Sequence, residues 1–138
     1  MARAAPRFIA GEVMKDRYAL VLWSARILGI GIGIFLSGFA LDAVEAGQPF
    51  SQTVADVLVH LLPSLGILAI VVLSWRRQWI GGLAFLILAA GYAVEVRFRL
   101  DWVLVISGPL LIAGLLFLWA WRLRAVWRQD RARDAGAL

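Results

Sequence analysis

The stretch TVADVLVHLLPSLGILAIVVLS, Thr53 to Ser74, holds one carboxylate, one imidazole and no lysine or arginine. A helix of that length rises ~33 Å at 1.5 Å per residue, enough to cross the ~30 Å hydrocarbon layer of a bilayer. Three further stretches read the same way: Ala19 to Leu41, Trp79 to Val96 and Trp102 to Leu123. The chain of 138 residues is therefore expected to be all-α, a four-transmembrane-helix bundle occupying residues 19–123. Its spans are 19–41, 53–74, 79–96 and 102–123. A basic N-terminal segment, residues 1–18, and a basic tail, residues 124–138, flank it.

Composition points to the same class. The chain is 62% hydrophobic and only 17% charged, with a mean hydropathy of +0.84, outside the range of soluble globular domains. It has no cysteine, which excludes disulfides, thiolate catalysis and cysteine-ligated metals. The net charge of +5 does not argue for nucleic acid, because the basic residues flank the spans instead of gathering on one folded face. Arg3, Arg7, Lys15 and Arg17 precede an apolar run, as in a signal peptide. That run is too long for a signal-peptide core, and no small-x-small cleavage site closes it. It is expected to stay as the first membrane helix.

Charge asymmetry orients the bundle. Those four residues, with Arg76, Arg77, Arg122, Arg124, Arg128, Arg131 and Arg133, put eleven basic residues on one side, against Arg97 and Arg99 on the other. The segment Asp42 to Gln52 carries none and has Asp42 and Glu45 instead. The positive-inside rule then places both termini in the cytoplasm. Trp23, Trp75, Trp79, Trp102, Trp119, Trp121 and Trp127 fall mainly near span ends, where indole rings suit the headgroup zone. The tail after Arg122 is expected to extend helix four by a few turns and to lie with its basic side on anionic lipid.

Lipid tails are as apolar as leucine, so membrane helices associate through close packing and interhelical hydrogen bonds. Ala25, Gly29, Gly33 and Ser37 recur every fourth residue in span one, and Gly31 and Gly38 widen that stripe. Gly81 and Gly82 open span three, and Gly114 lies in span four. Pro63 removes the hydrogen bond owed to the Val59 carbonyl, and Pro109 the one owed to Val105, so a kink is expected at each.

Ionisable groups inside spans are costly and rare. Here they are Arg26 in span one, Asp56 and His60 in span two and Glu95 at the end of span three, with Asp42 at the exit of span one. Asp56 and His60 are four apart, hence on one helix face. Arg26 is expected to snorkel or to pair with a carbonyl freed by a kink. Two readings compete for Asp42, Asp56, His60 and Glu95. They handle protons or ions together with Arg26, with His60 and Asp56 also the weak candidates for a metal; or they are structural, His60 locking the bundle through Asp56 or a neighbouring helix. No catalytic motif is present, and the Gly29-x-Gly31-x-Gly33 run lies inside an apolar helix, where it signals packing and not nucleotide binding. One histidine cannot ligate a haem from both sides. Neither a cofactor nor an enzyme activity is expected.

The pattern SARILGI…LDAVEAG, VHLLPSLGILAIVVLSW, IGGLAF…Y and GPLLIAGLLFL resembles a family of small bacterial four-helix integral membrane proteins of unknown function. Arg26, Phe39, Asp42, His60, Pro63, Trp75, Gly81, Gly82, Phe85, Tyr92, Pro109, Gly114 and Phe117 carry the resemblance, over about residues 24–123. It implies the architecture and no mechanism. It also implies that Arg26, Asp42 and His60 form one set, with Asp56 and Glu95 particular to this chain. A bacterial inner-membrane protein follows as the expectation: a non-enzymatic accessory or self-associating component whose partners are the bilayer and either further copies or a larger complex. The alternative is an oligomeric proton- or ion-coupled transporter or channel.

Overall fold

The computed structural model describes residues 7–38 and 49–136. Every regular element among them is helical. The first is α1 (Arg7–Gly38), followed by α2 (Phe50–Ser74) and α3 (Gln78–Glu95). The fourth span is built from α4 (Leu100–Trp102), a π-helical turn (Val103–Ser107) and α5 (Gly108–Ala135). Four helices are long and apolar enough to cross a membrane: Gly11–Gly38, Phe50–Ser74, Gln78–Glu95 and Leu100–Arg133. By the length and composition of these helices the chain is a multi-pass membrane protein. Neighbours in sequence are neighbours in space, and α1 closes the ring on α5.

Both flanking segments are more regular than a tail. α1 already begins at Arg7, and α5 runs on to Ala135. The residues added are mostly alanine, arginine, glutamate and other good helix formers, with no proline after Pro109 to stop the second of them. α5 ends where Gly136 donates to the Ala132 carbonyl (3.1 Å).

Two turns set the antiparallel order. Trp75 to Arg77 joins α2 to α3, and Gly81 lies directly against Ser74 there. The α3–α4 turn closes with Phe98 donating to the Ala93 carbonyl and Arg97 to the Val94 carbonyl, both at 2.9 Å, the paired bonds of a Schellman ending. The left-handed conformation such an ending needs normally falls to glycine. Here Arg97 (φ 51°) and Phe98 (φ 55°) adopt it, at about 1 kcal/mol each.

The core forms where small residues let backbones meet. Phe85 and Phe117, both fully buried, stack with ring centroids 5.7 Å apart. Gly29 makes room for Phe85 and Val71: a Cβ there would stand 2.7 Å from Val71 Cγ2 and 3.2 Å from Phe85 Cζ. Gly82 and Gly114 face each other across α3 and α5, and a Cβ on Gly114 would lie 3.0 Å from the Gly82 carbonyl oxygen. Ala25 is fully buried and Gly33 abuts Leu68, whereas the Ser37 hydroxyl donates to its own helix at Ile34. Gly31 and Gly38 do not widen this stripe: among the described residues nothing lies within 4 Å of a Cβ built on either, and at Gly31, two residues on from Gly29, the helix has turned about 200°.

Two serines tie helices together. Ser64 Oγ donates to the Gly33 carbonyl (2.8 Å) and Ser107 Oγ to the Ala89 carbonyl (3.0 Å). Pro109 is accommodated by the π-helical turn that precedes it. Gly108 donates to the Val103 carbonyl, five residues back, so the fourth span widens there and takes up the mismatch that the missing N–H and the proline ring create.

Candidate functional site

Among the described residues, the ionisable side chains singled out from the sequence do not form one cluster. Asp42 lies outside the described residues. Asp56, His60 and Glu95 are exposed on the outside of the bundle. The imidazole of His60 engages its own helix through Nδ1, 2.8 Å from the Asp56 carbonyl oxygen. A carbonyl only accepts, so Nδ1 carries the proton and Nε2 is turned to the surroundings. The partner is the backbone of Asp56 and not its carboxylate. Among the described residues no three of His, Cys, Asp and Glu come together as a metal site. Glu95 lies with Tyr92 in a shallow depression of about 400 Å³, bounded by Val96, Arg97, Arg99 and Trp102; neither hydrogen-bonds to His60.

His60 stands ten residues into a 25-residue helix, close to its middle, and therefore ~15 Å from its N-terminal end. Around it α2 barely touches the bundle. From Phe50 to Pro63 no residue is buried, and only Thr53, Val57 and Leu61 are half-buried. Of the four apolar windows that of α2 is the least covered, 22% buried against 33% for the third and fourth spans.

Arg26 lies against aromatic rings. Its guanidinium sits over two indoles, 5.2 Å from the Trp23 ring and 5.5 Å from the Trp75 ring. The π faces attract the cation, and Nε is buried with no hydrogen-bond partner among the described residues. Trp23 lies three residues before Arg26, a helical neighbour visible in sequence; Trp75 arrives only when α2 packs on α1.

Sequence reasoning missed the most concentrated charge in the fold. At the end of the bundle where α2 turns into α3, a pocket of about 300 Å³ is lined by Arg76, Arg77, Gln78, Trp79, Trp121, Arg124, Ala125 and Arg128. Gln78 is 2% exposed, and its Nε2 donates to the Tyr18 hydroxyl of α1 (2.6 Å). α3 begins here with no side-chain cap. No carboxylate lines the pocket, and the one ion pair among the described residues, Arg99–Asp101 (3.4 Å), is at the opposite end. The signals were present: an Arg-Arg doublet in a tight turn, and Arg124 and Arg128 four apart on one helix face. Read singly, each of them indicates topology.

No curated protein and no solved structure matches the chain. One family model does, over residues 14–133, and with it most of the bundle: the chain belongs to the DUF7670 family, a domain of unknown function.

Proposed function

We propose that the protein is a non-enzymatic component of a bacterial inner membrane, with both termini cytoplasmic, that works by lateral self-association through the first half of α2. The observation that carries this reading is the exposure of His60 near the middle of an apolar span. An ionisable group at that depth is costly against hydrocarbon and almost always faces protein or a water-filled cavity. Within one chain the face that holds it is uncovered.

A second copy is the occupant that fits. The face carries an acidic group, Asp56, and an imidazole with a free Nε2, His60, one helical turn apart. A two-fold axis along the membrane normal makes an interface isologous. Asp56 of each copy then meets His60 of the other, the Asp56 carboxyl O–H donating to the unprotonated Nε2, so that each pair shares one proton and both polar groups find partners. Such interhelical bonds are worth roughly 0.6–1.7 kcal/mol each in membranes, and the symmetry doubles them.

Single-molecule photobleaching in liposomes, with protein diluted into excess lipid, tests this. The native chain is expected to form dimers, and His60→Leu and Asp56→Leu to weaken them by about tenfold while helicity is retained. A native chain that stays monomeric at every dilution sinks the proposal. Proton or ion flux in the same liposomes, lost in His60→Ala with dimers intact, favours the transporter reading instead.

A further inference from the structure

We infer that the arginine-lined pocket between the α2–α3 turn and α5 is a binding site for the phosphodiester headgroup of an anionic phospholipid. Four guanidinium groups, those of Arg76, Arg77, Arg124 and Arg128, line a volume of about 300 Å³, with no ion-pair partner for any of them among the described residues. Neither Asp130, two residues along the same helix from Arg128, nor Asp16 of α1 lines the pocket. Four like charges around one cavity repel each other unless an anion stands among them. Phosphate oxygens are the match for guanidinium forks, which bind them through paired N–H donors.

The depth of the pocket selects a lipid over a soluble phosphate. α3 has 18 residues, ~27 Å of helix, barely the thickness of the hydrocarbon layer. Its first residues, Gln78 and Trp79, therefore stand at the boundary where headgroups begin. Trp79 and Trp121 both line the pocket, and indole rings partition to that level. Acyl chains of a lipid held here would run down the outside of the bundle, beside the exposed Leu83, one helical turn beyond Trp79.

The pocket is also held in shape before any ligand arrives. Gln78, buried to 2% exposure, is tied to Tyr18, which fixes the start of α3 against α1. Gly82, one turn further on, is locked to α5 through Gly114 and Leu118. The arginines of the turn and those of α5 thus sit on elements that cannot drift apart, which lowers the ordering cost of binding. The uncapped amides at the start of α3 add partial positive charge toward the same place.

Native mass spectrometry of the full chain, titrated with phosphatidylglycerol or phosphatidylcholine, tests this. One phosphatidylglycerol per chain is expected to stay bound under conditions that strip phosphatidylcholine. Arg124→Gln with Arg128→Gln should weaken it by about fivefold per arginine. Arg122→Gln with Arg133→Gln removes the same charge from the same helix outside the pocket and should leave retention within about twofold. Equal losses from both pairs mean diffuse attraction to anionic lipid and overturn the site. Glycerol phosphate in solution that displaces the lipid at equal concentration overturns the lipid assignment in favour of a soluble phosphate. If the Gln pair fails to fold, Arg124→Lys with Arg128→Lys keeps the charge and loses the fork. Retention reduced in that variant supports the site, and unchanged retention counts against it.

Discussion

The two halves of α2 differ more from each other than any two helices of the bundle do. From Ser64 to Ser74 the helix buries Ser64, Ile67, Val71 and Ser74, and three of the four meet a small residue or a carbonyl of a neighbour. Gly33 receives the Ser64 hydroxyl, Gly29 admits Val71, and Gly81 lies on Ser74. From Phe50 to Pro63 nothing is buried. In lipid, apolar area alone does not drive helices together. Close approach of backbones does, and it stops where glycine and serine stop.

The sharpest way to break that contrast is to fill the closest approach. Gly114→Leu drives a side chain into the Gly82 carbonyl and Leu86, and is expected to cost about 3 kcal/mol or more, read as loss of the folded fraction in a detergent unfolding titration. Phe117→Ala, which empties one side of the stacked pair, should cost about 2 kcal/mol in the same titration, below the usual range for soluble cores because lipid offers no transfer penalty. Ser64→Ala removes one interhelical bond and should cost about 0.6 kcal/mol. His60→Leu, one turn before Ser64 but exposed on the outside of the bundle, should leave monomer unfolding within about 0.5 kcal/mol. A large loss there would mean that the first half of α2 is already packed within one chain, and the comparison collapses.

Much of the architecture was readable because hydrocarbon thickness is a length that sequence displays directly. The four apolar runs gave the spans, and the recurrence of Ala25, Gly29 and Gly33 marked the face of α1 that turns inward. The extension of helix four past Arg122 was legible, whereas the helical course of residues 7–18 was less visible, since nothing in a basic, helix-favouring segment shows where a membrane ends and helix continues. The candidate site was legible only in part. Asp56 and His60 share a face as their spacing requires, yet the imidazole takes a backbone carbonyl, a choice made by rotamer and not by spacing. Arg26 pointed to Trp23 through helical periodicity alone, but Trp75 is 49 positions away.

What the sequence determined by itself is the presence of four long apolar helices and the absence of cysteine chemistry, because each depends only on local composition and length. What tertiary structure decided is which glycines touch a neighbour, where Arg26 finds aromatic cover, and that Arg76 and Arg77 share one pocket with Arg124 and Arg128. These are relations between helices. Rotation about a helix axis by one residue, about 100°, rewrites all of them while leaving every hydropathy average unchanged.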